Sequence, residues 1–134
     1  MSLSIGLSHV AMSVPEGTLT DEYRSRVLEF YGRVLGWAEI ESLRLPDRLT
    51  LSVGRSDYLN IRERPDHMVT HGYDHFGVLV ASADGLRDLW AQLDAADDDV
   101  QLEPVTTSDR GGAWFRFRHL LPLAVEVQFF PDLV

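Results

Sequence analysis

The sequence carries one pattern twice, and a chain that repeats itself this way is expected to fold as two like modules sharing a plan. Leu7-Ser8-His9-Val10-Ala11-Met12-Ser13-Val14 and Tyr73-Asp74-His75-Phe76-Gly77-Val78-Leu79-Val80 both alternate as strands do. Their histidines fall in the same phase, 66 residues apart (75 minus 9). A second landmark keeps the offset: Asn60 between Leu59 and Ile61, and Glu126 between Val125 and Val127. A helical stripe follows each first strand. Asp21 to Leu35 sets Tyr23, Val27, Phe30, Tyr31 and Val34 on one side, with Thr20 or Asp21 as N-cap and Gly36 as stop. Asp84 to about Ala95 does the same with Leu86, Leu89, Trp90 and Leu93, behind Ser82 or Asp84.

Three strands are predicted after each helix. They are Ala38–Leu45, Arg48–Val53 and Tyr58–Arg62, then Val100–Thr106, Ala113–Arg118 and Ala124–Phe130. Turn residues separate them, as at Pro46-Asp47 and Gly111-Gly112. The predicted plan is α+β: two tandem βαβββ modules, residues 1–64 and 73–134, forming a curved mixed β-sheet cup backed by helices. A polar connection from Glu63 to Gly72 joins them, with its hinge at residues 65–72. Each module is expected to hold one four-stranded sheet.

Composition removes several classes of function. Lys and Arg number 12 against 21 Asp and Glu, a net charge of −9, which repels phosphate backbones and anionic lipid. We therefore expect neither nucleic acid nor a membrane as partner. Cysteine is absent, which excludes disulfides, thiolate metal sites and thiol nucleophiles. The stretch Met1-Ser2-Leu3-Ser4-Ile5 has no basic n-region before an apolar run, so the default expectation is a cytoplasmic protein. Asp97-Asp98-Asp99 lacks the spacing of a calcium loop and reads as an acidic turn, while His67 and His71 read as solvent-facing hinge residues.

Splitting each strand by parity leaves one uniformly apolar face for the helix to cover. The opposite face carries His9, Thr50, Ser52, Asn60, Arg62, His75, Trp114, Arg116, Glu126 and Gln128. Imidazoles, a carboxylate, amides and arginines on one face suit a ligand surface. Two imidazoles and a carboxylate also make a facial triad for a divalent metal, with open positions for substrate or water, so His9, His75 and Glu126 are the metal candidates. The competing reading satisfies each histidine with a backbone carbonyl and pairs Glu126 with Arg116 or Arg118.

These motifs, together with Phe30-Tyr31-Gly32-Arg33-Val34-Leu35-Gly36-Trp37 at the end of the first helix, resemble the vicinal oxygen chelate superfamily. That group comprises glyoxalases, bleomycin-resistance proteins and extradiol dioxygenases. The resemblance implies paired βαβββ modules, usually in a homodimer, and a divalent metal (Fe, Mn, Ni or Zn) on His9, His75 and Glu126. The family's fourth metal position, a Glu or Gln in glyoxalase I, falls on Asn60, which has no carboxylate to act as base. The assisting His and Tyr of the dioxygenases fall near Asn60 and Arg116, and the threonine of fosfomycin-resistance transferases falls on Ala11. The implied function is a glyoxalase- or dioxygenase-like enzyme binding vicinal oxygens of a small anionic substrate. Asn60, Arg62, Trp114, Arg116 and Gln128 are the substrate-binding candidates. The alternative is a metal-free, bleomycin-resistance-like binding protein whose aromatic candidates are Trp37, Trp90 and Trp114.

Overall fold

The computed structural model describes residues 5–96 and 99–133. Met1 to Ser4 and the first two residues of the acidic turn, Asp97 and Asp98, lie outside the described residues. The chain divides after Val69 into two compact units.

The first unit runs β1 (His9–Val14), α1 (Asp21–Leu35), β2 (Ala38–Glu39), β3 (Arg48–Ser52) and β4 (Tyr58–Glu63). Its strands lie in the order β1-β4-β3-β2, with β1 parallel to β4 and the other pairs antiparallel. The second unit runs β5 (His75–Leu79), α2 (Ala83–Asp94), β6 (Gln101–Leu102), β7 (Thr106–Thr107), β8 (Ala113–Arg118) and β9 (Ala124–Phe129). Its order is β5-β9-β8-β6, with β7 also pairing β8 and β5 parallel to β9. The architecture is α+β with two mixed open sheets, as the pattern predicts.

The repeat extends to the register. His9 faces Tyr58 and Ala11 faces Asn60 in the first sheet; His75 faces Ala124 and Gly77 faces Glu126 in the second. Thr50 faces Asn60, and Arg116 faces Glu126. Each pair is its counterpart displaced by 66 residues (124 minus 58, 116 minus 50), so the modules match rung for rung.

The outer strands depart from expectation. The run Ala38–Leu45 is extended only to Glu39, and Glu41–Leu43 forms a 3-10 turn. The Arg44 guanidinium reaches back to the Glu39 carboxylate across that turn, which gives the bend a local partner. The Arg44 hydrogen bond holds the pKa of Glu39 below the usual value, outweighing the opposing effect of burial. The run Val100–Thr106 breaks into β6 and β7 around Pro104, which has no N–H to give a ladder. The second sheet is thus five-stranded, not four-stranded. Glu63 belongs to β4 rather than to the connection, and its carboxylate accepts from the Leu19 N–H at 2.9 Å.

Local chemistry sets the helix ends. Thr20 caps α1 by accepting from the Tyr23 N–H at 3.1 Å, and Ser82 caps α2 by accepting from Gly85 at 2.9 Å. Gly36 ends α1 in the left-handed region, φ 73°. Gly36→Ala is expected to cost about 1 kcal/mol, because a Cβ is disfavoured there, and urea denaturation would measure it. In the first module the core joins Val27, Phe30 and Tyr31 of α1 to Met12, Val14, Leu49, Leu51, Leu59 and Ile61. In the second it joins Leu86 and Leu93 of α2 to Phe115, Phe117, Val125 and Val127. These are the apolar parities of each strand. Among the described residues no helix is long and apolar enough to cross a membrane.

Candidate functional site

The opposite parity carries the chemistry, and each module presents its own part. In the first, β1 holds His9 exposed, its ring stacked on Tyr58 with centroids 4.6 Å apart and planes at 5°. Its Nδ1 lies 2.7 Å from the Ser8 hydroxyl, leaving Nε2 without a hydrogen-bond partner among the described residues. On the next rung, Thr50 donates to Asn60 Oδ1 at 2.6 Å. Thr50 is fully buried although it shares the polar parity, so this hydrogen bond is what makes its hydroxyl tolerable there. With the Asn60 carbonyl engaged by Thr50, its amide N–H groups have no partner among the described residues and can donate to a ligand. Arg62 stands farther along β4, exposed, with Asp47 at 3.5 Å.

In the second module His75 and Glu126 meet. Nδ1 of His75 is 2.6 Å from the Tyr73 carbonyl, and Nε2 is 2.5 Å from Glu126 Oε2. A carbonyl oxygen can only accept, so Nδ1 must carry the hydrogen. In a neutral imidazole Nε2 is then an acceptor facing a second acceptor. A proton shared between them is what that approach requires; as joint ligands of a metal, at bonds of about 2.1 Å each, the two atoms would stand about 3 Å apart. Both side chains are largely shielded from solvent, which strengthens the requirement.

Of the competing reading, the carbonyl partner holds for His75 and the arginine partner for Glu126 does not. Arg116 pairs with Glu103 instead, Nε to Oε2 3.1 Å, and its guanidinium lies 5.4 Å from the centre of the Tyr73 ring. Arg118 donates to the Pro122 carbonyl. Arg116 has a carboxylate on each side of its rung: Glu126 across β9, and Glu103, whose N–H donates to the Arg116 carbonyl at 2.9 Å. Glu126 turns to His75, and Glu103 takes the arginine.

Trp114 and Gln128 face each other on the next rung, and Trp114 stacks on Phe130 at 5.9 Å. Gly112 makes room for that stack, since a Cβ there would stand 2.5 Å from the Phe130 ring. Of the other aromatic candidates, Trp37 is a core residue, 5% exposed and stacked on Tyr31 at 5.0 Å. It cannot line a ligand groove. Trp90 lies in the α2 stripe and donates its indole N–H to the Glu103 carbonyl at 2.9 Å. His67 and His71 are exposed, as expected.

Sequence reading overlooked Tyr58, Tyr73 and Glu103. Tyr58 was legible in principle, because parity puts it beside Asn60 on the same face. Neither the Tyr73 ring nor the Glu103 carboxylate carries a periodic signal that points to its partner. Among the described residues no three His, Asp or Glu side chains stand together as a metal group.

Solved structures match this architecture over nearly the whole chain. A glyoxalase/bleomycin resistance protein/dioxygenase family enzyme from Burkholderia phytofirmans superposes with a TM-score of 0.68 at 16% identity, over 92% of this chain and 97% of that one. The chain has the vicinal oxygen chelate fold. Lactoylglutathione lyase from Agrobacterium tumefaciens shares the fold with a TM-score of 0.68 and 17% identity, over 95% of each chain. The fosfomycin resistance protein FosX from Listeria monocytogenes shares it at 0.64 and 16%, over 95% of this chain and 94% of that one. No protein-family model and no curated protein sequence matches the chain. At these identities the vicinal oxygen chelate fold is common ground and the chemistry must be argued from side chains.

Proposed function

We propose that the protein is a divalent-metal-dependent enzyme of the vicinal oxygen chelate type acting on a small anionic substrate. His75 and Glu126 would hold the ion, with His9 of the same chain, or of a second copy in a homodimer, as third ligand. The observation that carries this reading is the His75–Glu126 pair. Its imidazole is locked by the Tyr73 carbonyl into the tautomer that presents Nε2 as a donor atom to a metal, and the carboxylate is aimed at the same point. The donor set, nitrogen and oxygen without sulfur, suits Fe, Mn, Ni or Zn. A bound divalent ion would supply Lewis acidity toward two neighbouring substrate oxygens. Arg116 and Arg62 neutralise the substrate's negative charge, and the Asn60 amide donates to a substrate oxygen. The titration that tests the metal is direct: Mn²⁺, Fe²⁺, Ni²⁺ or Zn²⁺ is expected to bind one per chain and to raise the thermal midpoint. A midpoint unchanged by all four would overturn the reading.

The second reading, a metal-free binder of a flat apolar ligand, is favoured by the Trp114–Phe130 stack on the same face. It predicts stabilisation by aromatic ligands with metal-chelating agent present, and Gly112→Ala would weaken that effect by displacing Phe130.

A further inference from the structure

We propose that a cleft in the second module binds the carboxylate of a small ligand on Arg116, and that Glu103 occupies this arginine until the ligand displaces it. The inference rests on reading this sheet face as a ligand surface, as above, but not on the metal.

The cleft, about 370 Å³, is lined among others by Gly72, Gln101, Glu103, Arg116, Arg118 and Ala124. That volume is enough for a small molecule. Comparison of the repeats says why space exists there. The first module has Tyr58 beside its histidine, and the counterpart 66 residues on (124 minus 58) is Ala124, which has no ring to fill the position. The cleft opens beside that alanine.

Two guanidinium groups reach it. Arg118 donates through Nη1 to Pro122 and Thr70, leaving Nε and Nη2 without partners among the described residues. Arg116 is seated over the Tyr73 ring and, among the described residues, its one ion-pair partner is Glu103. Glu103 has the build of a displaceable plug. Its main chain is fixed on both sides, N–H to Arg116 and carbonyl to the Trp90 indole, while its side chain is 57% exposed and, among the described residues, held by the arginine alone. An ion pair so open to water is weak, so a carboxylate entering the cleft exchanges for it at little cost and gains Arg118 as well. The plug is itself a carboxylate, which is why a ligand carboxylate fits the same fork.

The probe is sodium benzoate, titrated into metal-free protein and followed by the Arg116 Nε–H resonance, with benzamide as the neutral control. Benzoate is expected to move that resonance and benzamide to leave it. Glu103→Gln is expected to tighten benzoate roughly three- to fivefold by removing the competitor. Asp88→Asn, which deletes one negative charge elsewhere on the module, should change affinity by less than about 1.5-fold. Arg116→Met should weaken binding at least about tenfold. The proposal is overturned if benzoate and benzamide bind alike, or if neither wild type nor Glu103→Gln binds benzoate at about 50 mM. It is also overturned if Glu103→Gln gains no more than Asp88→Asn. Because no metal is present, failure here leaves the metal reading to its own titration, and failure of that titration leaves this result standing.

Discussion

His75→Ala is expected to lower divalent-metal affinity by at least about 100-fold while leaving the unfolding midpoint of the metal-free protein nearly unchanged. Loss of groups that merely orient a ligand costs 10- to 100-fold in known sites, so loss of a donor atom should cost no less. The fold should not notice. His75 is part-exposed at the start of an edge strand, and its side chain meets the Tyr73 carbonyl, the Tyr73 ring edge-on and Glu126, not the core. Removing it also frees Glu126 to turn toward its rung partner Arg116. Calorimetric titration of both proteins with Mn²⁺ or Zn²⁺, alongside urea denaturation, reads both quantities. Equal affinities would remove His75 from the metal site.

Arg24→Met carries the second large effect, on stability. Arg24 lies in α1 and is only 6% exposed, yet no carboxylate is its partner among the described residues. Its guanidinium donates to four backbone carbonyls: Leu19 at 3.1 Å, Leu45 at 2.7 Å, Pro46 at 3.1 Å and Arg48 at 3.2 Å. One side chain thereby ties the helix to the turn before β3. Methionine has similar bulk and no donor, so the substitution isolates the hydrogen bonds. Four hydrogen bonds go at once, although the Leu45 and Arg48 carbonyls keep each other's N–H; the expected loss is about 3 kcal/mol, a large share of the stability typical of a domain. Arg33→Met, which breaks an open i,i+4 pair with Glu29 on the same helix, should cost less than about 1 kcal/mol. Chemical denaturation of the two variants distinguishes them, and equal losses would contradict the clasp.

What could be read from the sequence was what depends on near neighbours. Strand alternation in His9–Val14 and Ala124–Phe129, the caps Thr20 and Ser82, and the stop at Gly36 are each decided within a few residues. The two outer strands were misjudged for a related reason. Their composition is compatible with extension, but Pro104 and the Glu39–Arg44 contact end them. Trp37 was one of the three tryptophan candidates for a ligand groove; the core took it, against Tyr31.

The candidate site divides along the same line. The sequence by itself determined that the chain is a duplication, which residues lie on the polar parity, and that His75 and Glu126 share a face. It also determined that Arg116 and Glu126 share that face, but it left Glu126 to a metal shared with His75, to Arg116 or to Arg118. Only the tertiary structure decided between them, giving Glu126 to His75 and Arg116 to Glu103, and only it showed Tyr73 under the arginine. The physical reason is that alternation is a property of one strand, whereas ion pairing depends on strands distant in sequence being set side by side. When a base has two acids within reach, fractions of an ångström and the neighbouring hydrogen bonds choose the pair.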